Sequence, residues 1–119
     1  MQVLKANLST NQSKKIALNS VSSITFVELD NILFFQADGA YTKVFLKDNK
    51  TITTSKNLKH FEQLLEDSPE FFRCHKSYIA NLKYVSEYIK SEGGTLKIEN
   101  YSIGISSDKS DELLKRIMH

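Results

Sequence analysis

The residue types that could carry chemistry are concentrated in residues 71–85, which read FFRCHKSYIANLKYV. Four consecutive positions hold an arginine, a cysteine, a histidine and a lysine, Arg73, Cys74, His75 and Lys76. A cysteine beside a histidine can act as a nucleophile with its base, and both residue types can ligate a metal. Two cations flanking a histidine can instead bind an anion. The rest of the sequence decides among these three chemistries.

Alternation along an extended chain argues against catalysis by Cys74 and His75. Adjacent side chains of a strand point to opposite faces, so these two cannot form a hydrogen-bonded pair within one strand. We expect a small buried cysteine beside a surface histidine instead. The stretch is therefore not expected to be the site of an enzyme.

Metal and cofactor sites are not expected either. The three histidines, His60, His75 and His119, lie far apart in sequence, and a single cysteine cannot supply the paired spacing of zinc ligands. The four glycines form neither of the glycine-rich phosphate-binding motifs. We expect no metal, no cofactor and no catalytic residue, which leaves binding as the function.

The charge of the chain is mild in total but uneven along the sequence. The net charge is +2 and the pI is about 8.6, below the value of about 9 that is typical of strongly basic nucleic-acid binders. Residues 39–61 hold five lysines against one acid, and residues 71–86 hold three basic residues against none. This distribution predicts a basic face that could bind phosphate, although lysines spread over several faces remain the alternative.

Short β-type runs separated by turn residues fill most of the chain. The runs are residues 15–19, 22–29, 32–37, 40–47, 50–55, 85–91, 95–100 and 101–106. The turns are expected at Asp38-Gly39, Asp48-Asn49, Gly93-Gly94 and Glu99-Asn100. This pattern predicts a mainly β fold of about eight or nine antiparallel strands.

The run at residues 40–47 shows how side chains would be presented. Alternation places Thr42, Val44 and Leu46 on a core-like face. Tyr41 and Lys43 fall on the other face, just beyond the tight turn at Asp38-Gly39. We therefore expect both to point outward.

Two short helices are also expected. The first has Ser55 as its N-cap and an apolar stripe formed by Leu58, Phe61, Leu64 and Leu65. The second runs from about Asp108 to Met118. Lys56 and Lys59 fall in the first turn of the first helix, where free N–H groups and two cations could bind a phosphate; the alternative is that both are merely exposed.

The chain is expected to form one domain over residues 15–119, preceded by a polar linker or arm over residues 1–14. It has no apolar run near the roughly 20 residues that cross a bilayer and no charged-then-apolar leader. These features favour a cytosolic protein.

The stretch at residues 71–85 resembles the LytTR family of DNA-binding domains. The family pattern is an aromatic residue, arginine, any residue, histidine, a basic or polar residue, serine, an aromatic residue, two small apolar residues and asparagine. Residues 72–81 match it as FRCHKSYIAN. The upstream residues 30–65 also resemble the family's strand, hairpin and helix, and the resemblance covers residues 15–117.

The resemblance implies a fold and partners as well as a function. The expected fold is an elongated stack of small antiparallel sheets, with loops that enter successive major grooves of double-stranded DNA. Two copies of such a domain usually bind paired direct repeats. The domain is usually the output half of a two-component response regulator, so this chain is expected to be an output domain or a small stand-alone transcription regulator, with a receiver domain possible only in a longer protein.

The resemblance also implies three contact loops. The first presents Tyr41 and Lys43 to a groove. In the second, Lys76 takes the base-contacting place with His75 and Ser77 as phosphate contacts, while Arg73 is either a phosphate contact or part of a salt bridge.

The third loop departs from the family pattern. The family commonly has arginines after the serine of the last strand, whereas this sequence has Ser107 and Asp108, with Lys109 as the nearest cation. A residue at the start of the last helix could cap its free N–H groups. We therefore expect Ser107 or Asp108 to cap that helix and Lys109 to contact a phosphate at most.

Two other classes of function remain open from the sequence. A binder of single-stranded nucleic acid needs several exposed aromatic side chains on one sheet face. An all-β protein-interaction module needs a large exposed apolar patch. Most phenylalanines here lie beside apolar neighbours, as core residues do, which favours duplex DNA over both alternatives.

Overall fold

The computed structural model describes residues 14–91 and 93–118, so all of the expected N-terminal arm except Lys14, and also His119, lie outside the described residues. Ten strands and two α-helices occur in the described part. The strands are β1 Lys15–Asn19, β2 Ile24–Glu28, β3 Ile32–Asp38, β4 Tyr41–Leu46, β5 Lys50–Thr54, β6 Phe71–His75, β7 Tyr78–Asn81, β8 Val85–Ile89, β9 Thr95–Ile98 and β10 Tyr101–Gly104. The helices are α1 Leu58–Leu64 and α2 Ser110–Ile117.

The strands form three antiparallel sheets. β1 pairs with β2, the order in the five-stranded central sheet is β5-β4-β3-β7-β6, and β8, β9 and β10 form a third sheet with β9 in the middle. The molecule measures 52 × 38 × 26 Å along its principal axes. The mainly β architecture of small antiparallel sheets with two short helices is confirmed.

The central sheet separates two apolar cores because its strands alternate apolar side chains between both faces. On one face Phe35 contacts Phe61 of α1, with ring centroids 5.0 Å apart. On the other face Phe34 stacks on Phe45 at 4.3 Å and meets Tyr101 of β10 at 5.2 Å. Complete burial of one such large apolar side chain stabilises the fold by about 1.5–3 kcal/mol. Both faces of the sheet are therefore fixed firmly.

Turn chemistry accounts for the tight connections. Gly39 has φ +63°, in the left-handed region that favours glycine, and it begins the two-residue loop between β3 and β4. Asp48 and Asn49 also have positive φ, 65° and 62°, between β4 and β5. Both turns lie where the sequence predicts them.

The two helices begin differently from the sequence prediction. The N-cap of α1 is Asn57, whose side-chain oxygen accepts a hydrogen bond from the His60 N–H at 3.0 Å, so the assignment of Ser55 is wrong. A 3₁₀ turn, Ser107–Lys109, precedes α2.

Neither Ser107 nor Asp108 makes a side-chain capping hydrogen bond, so the predicted cap of the last helix is also wrong. The 3₁₀ turn is the reason. It closes through backbone bonds, with the Lys109 N–H donating to the Ser106 carbonyl.

Candidate nucleic-acid interface

Two hairpin turns lie at the same end of the central sheet. β3 and β4 turn at residues 39–40, while β6 and β7 turn at Lys76 and Ser77. The Ala37 N–H donates to the Ser77 carbonyl at 2.8 Å, which fixes the second turn beside β3. We call this end, with the turns at residues 39–40 and 76–77 and the segment 106–109, the loop end.

The first turn presents Tyr41 and Lys43 as the sequence predicts. Tyr41 lies opposite Asp38 at the base of the turn and is 52% exposed, and Lys43 is also exposed. Thr42 and Val44, between and beyond them, are fully buried. The alternation along β4 thus gives this loop one aromatic and one cationic side chain that face solvent.

The second turn presents Lys76, and the Arg73 side chain stabilises the turn by hydrogen bonds to its backbone. Lys76 is exposed at the tip. The Arg73 guanidinium donates from Nε to the His75 carbonyl at 3.1 Å and from Nη2 to the Lys76 carbonyl at 2.5 Å. Its Nη1 donates to the Glu62 carboxylate of α1 at 2.7 Å. Of the two roles left open for Arg73, these contacts favour the structural one.

His75 also supports the turn. Its Nδ1 accepts a hydrogen bond from the Ser77 N–H at 3.0 Å, so the neutral ring carries its proton on Nε2. Nε2 then remains as the donor that could reach a phosphate. His75 and Ser77 are both half-buried, in contrast to the exposed Lys76 between them.

Cys74 and His75 do not point to opposite faces, so the alternation argument is wrong here. The register of β6 with β7 shifts between Phe72 and His75, an extra residue that interrupts alternation. As a result Cys74 Sγ lies 3.7 Å from the Gly104 carbonyl, and His75 Cδ2 lies 3.8 Å from where a Cβ on Gly104 would stand.

A nucleophilic role for Cys74 is nevertheless disfavoured on other grounds. The residue is fully buried as expected, and this burial raises the pKa of its thiol to about 12. The nearby His75 Nδ1 already accepts from the Ser77 N–H. A neutral thiol without an available base is a poor nucleophile.

The third segment begins beside the second hairpin. The Ser106 N–H donates to the Cys74 carbonyl at 2.8 Å, one residue before the end of β6. Ser107 is exposed. Lys109 Nζ lies 3.9 Å from the Glu112 carboxylate in α2, which reduces its availability to a phosphate.

The two lysines near α1 lie differently from each other. The Lys56 carbonyl accepts from Thr42 Oγ1 at 2.8 Å, which places exposed Lys56 next to the first hairpin. Lys59 is exposed one turn further along, in α1. Because the Asn57 side chain already accepts from the His60 N–H, the helix start offers fewer free donors than predicted. The phosphate site at this helix stays a prediction.

Sequence reasoning did not consider Gln36, which lies at the centre of the loop end. In the sheet it stands opposite Lys43 on one side and opposite Tyr78 on the other, and Tyr78 in turn is opposite His75. The side-chain amide of Gln36 is half-buried and makes no hydrogen bond to any residue in the described part of the chain. Only strand order reveals this position, and no local sequence signal could have shown it.

Three exposed apolar side chains lie on β2 and the turn before it, and one of them, Val21, lines the same pocket as Tyr41. Val21 is completely exposed in the β1–β2 turn, and Ile24 and Phe26 on β2 are 57% and 69% exposed. Of the aromatic side chains in the described ranges, only Phe26 and Tyr41 are strongly exposed, and they lie on different strands. No stacking platform for single-stranded bases is formed by the described residues.

Residues 14–91 and 93–118 contain neither a metal-binding cluster nor a helix that could span a membrane. No group of three or more histidine, cysteine or carboxylate side chains could hold a metal ion. None of the helices in these ranges has the length and apolar character needed to cross a bilayer.

Comparison with known families and structures identifies the fold. The family model of the LytTr DNA-binding domain matches residues 22–118 of this chain. A solved LytTr DNA-binding domain from Bacillus cereus superposes with a TM-score of 0.73 and 22% sequence identity, covering 90% of this chain and 99% of the other. The fold expected from the resemblance is thus confirmed.

Curated relatives are longer regulatory proteins. Sensory transduction protein LytT of Oceanobacillus iheyensis is 28% identical over 92 residues, which are 73% of this chain and 37% of LytT. Accessory gene regulator protein A of Staphylococcus aureus is 33% identical over 72 residues, 60% of this chain and 29% of the relative. Heme-containing CO-sensing transcriptional regulator RcoM 2 of Paraburkholderia xenovorans is 34% identical over 76 residues, 64% of this chain and 28% of RcoM 2. The chain therefore spans well under half the length of these relatives.

Proposed function

Because the chain belongs to the LytTR family of DNA-binding domains, we propose that it binds duplex DNA through the loop end and reads sequence with Tyr41, Lys43 and Lys76. The observation that carries this proposal is the meeting of two hairpin turns at one end of the central sheet. Exposed lysines and a tyrosine can donate to base acceptors in a groove, while buried Thr42 and Val44 hold the strand in place.

The remaining candidate residues supply contacts to the DNA backbone. We assign phosphate contacts to Lys56, which lies beside the first hairpin, and to Lys59, which lies on α1. His75 Nε2 and Ser77 do the same at the second turn. Ser107 and Lys109 form the third and weakest contact, because Lys109 also faces Glu112. Arg73 acts through the second hairpin rather than on the DNA.

The geometry is compatible with contacts to more than one groove. The two hairpins are two strand spacings, or about 10 Å, apart across the sheet. The longest dimension of the molecule, 52 Å, exceeds the roughly 34 Å between successive major grooves. Both hairpins lie within the width of one major groove, about 12 Å, so we assign them to one groove. We assign successive major grooves to two copies of the domain on paired direct repeats of promoter DNA.

The relatives support a proposal for the biological setting. Proteins described as a sensory transduction protein and as transcriptional regulators share this domain. The chain is accordingly proposed to be the output domain of a two-component response regulator that acts in the cytoplasm, with a receiver domain as partner in the longer protein. It is proposed to act as a regulator of transcription and not as an enzyme.

Salt dependence tests the mode of binding. A titration of labelled duplex DNA, single-stranded DNA and RNA at 50–200 mM salt should show preference for the duplex. Log K should fall with log salt by about 0.9 for each phosphate neutralised, because each lysine contact releases counterions. Binding that ignores salt, or that is tighter for single strands, would overturn the proposal.

Two lysine variants separate reading of bases from contact with the backbone. The preferred DNA site is first selected from random duplex DNA with the wild-type protein. Lys76→Ala should weaken binding to this selected site by about 1–3 kcal/mol and relax preference at one base pair. Lys59→Ala should weaken binding to all sequences alike and lower the salt slope by about one unit. The two variants are compared on the selected site and on random duplex. Equal losses on both duplexes for both variants would contradict these assignments.

A further inference from the structure

Arg73 joins the second hairpin to a different part of the fold. Two of its nitrogens donate to the carbonyls of His75 and Lys76, and the third donates to Glu62. Glu62 is eleven residues earlier in the chain, in helix α1. The hairpin tip is therefore connected through one guanidinium to a helix that carries no tip residue.

Helix α1 is a firm support for this connection. Its Leu58 and Phe61 are buried, at 4% and 1% exposure, and Phe61 packs against Phe35 of the central sheet. Glu62 directly follows Phe61, so its backbone is held by the apolar core between α1 and the central sheet. The carboxylate itself is about half exposed and takes no part in either apolar core.

The ion pair between Arg73 and Glu62 is better suited to orient the guanidinium than to stabilise the fold. Exposed ion pairs contribute little to folding because solvent screens them. A guanidinium is planar, however, so a carboxylate on Nη1 fixes the plane in which Nε and Nη2 meet the two hairpin carbonyls. Without the carboxylate, Arg73 is an unneutralised cation close to a DNA backbone and would be attracted to phosphate instead.

We propose that Glu62 is a positioning residue for DNA reading, which acts through Arg73 to hold the backbone of the hairpin that presents Lys76. This inference rests on the proposed function, because it assumes that Lys76 reads a base. It assigns to α1 a role in sequence preference although the helix need not contact a base. Glu62 determines how Lys76 is presented and does not itself touch the DNA.

Glu66 provides a matched control on the same side of the molecule. It follows α1 closely, is exposed, and lines the same groove between α1 and α2 as Glu62 and Arg73. Among the described residues it has no ion pair of its own. Glu62→Ala and Glu66→Ala each remove one negative charge, so any general electrostatic effect on DNA binding is common to both.

The experiment measures affinity and base preference for the wild type, Glu62→Ala, Glu66→Ala, Glu62→Asp and Lys76→Ala. Each protein is titrated with the selected duplex, with duplexes changed at the base pair that Lys76 faces, and with random duplex over a salt series. Amide exchange of residues 75–77 and thermal unfolding are recorded for the same proteins.

Glu62→Ala should lose about three- to tenfold of the discrimination at the base pair that Lys76 faces, while its affinity for random duplex rises. Its salt slope should steepen by up to about 0.9, because the released Arg73 can neutralise one more phosphate. Amide exchange at residues 75–77 should accelerate. Glu62→Asp keeps the charge but is too short for the same geometry, so it should also lose discrimination. Glu66→Ala should raise affinity for random duplex without any of these other changes.

Equal behaviour of Glu62→Ala and Glu66→Ala in discrimination and exchange would overturn the inference, provided Lys76→Ala loses discrimination. If Lys76→Ala itself keeps full discrimination, then the proposed function of Lys76 fails and the role of Glu62 fails with it. A large drop in thermal stability of Glu62→Ala with unchanged exchange at residues 75–77 would show a general structural role and would also contradict the inference.

Discussion

The two hairpins of the loop end are held in place in different ways. The turn between β3 and β4 depends on its own residues, chiefly Gly39 with φ +63°, and a Cβ there would meet nothing within 4 Å. The turn between β6 and β7 is held by hydrogen bonds that Arg73 and the Ala37 N–H donate to its carbonyls, and by the bond that the His75 ring accepts from the Ser77 N–H. We therefore expect the first tip to adapt its conformation to DNA, whereas these hydrogen bonds fix the second tip in the free protein. Preorganisation of this kind reduces the ordering cost of binding.

The thiol under the second hairpin gives the largest expected effect. Burial raises the pKa of Cys74 from the ordinary value near 9 to about 12. At pH 8 the thiolate fraction, and with it the rate of reaction with a thiol reagent, should be about a thousandfold lower than in unfolded protein. Reaction rates with and without denaturant measure this. Fast reaction in the native protein would mean that the second hairpin opens readily and that the contrast between the hairpins is false.

The raised pKa of Cys74 also determines the direction in which the free energy of unfolding changes with pH. Because the folded pKa is raised, the thiol's contribution to stability is complete below about pH 9 and is lost as pH rises toward 12. The free energy of unfolding should therefore fall in that window by up to about 1.4 kcal/mol per pH unit from this group. Cys74→Ala should lack this component, and the difference between the two proteins separates it from titrating lysines.

Replacement of Arg73 should affect the fixed hairpin next most strongly. Arg73→Ala leaves two hairpin carbonyls without their charged donor and should lower the free energy of unfolding by about 2–3 kcal/mol. Arg73→Lys keeps the charge but not the planar group, so it should recover only part of that loss. Chemical denaturation measures both variants. If Arg73→Lys behaves as wild type, charge alone suffices and the geometry described for the guanidinium is unimportant.

The difference between the hairpins also explains which features the sequence could predict. The first hairpin was predictable because Asp38-Gly39 and the alternation through Thr42 and Val44 are local signals. At the second, the turn residues Lys76 and Ser77 carry no comparable signal. The family resemblance located them, but it did not distinguish a DNA contact from a structural role for Arg73.

Two of the three failed predictions share one physical cause. The expected cap at Ser107 or Asp108 assumed that α2 begins directly after the last strand, whereas a 3₁₀ turn intervenes. Likewise, Cys74 and His75 reach the same residue, Gly104, because an extra residue in β6 interrupts alternation. Such bulges, 3₁₀ turns and bonds between distant strands depend on tertiary context, which local periodicity does not contain.

The smallest expected effect tests the adaptable hairpin. Gly39→Ala introduces a Cβ that meets no neighbour, so its cost is the left-handed backbone alone, about 1 kcal/mol in the free energy of unfolding. Sequence preference should persist, because a tip without side-chain support can relax and still present Tyr41. Gly39→Asn should cost less, since asparagine tolerates this conformation. Denaturation and site selection on both variants provide the measurement. If Gly39→Ala reduces sequence preference as much as Lys76→Ala does, the first turn is as dependent on fixed geometry as the second, and the distinction between the two hairpins does not hold.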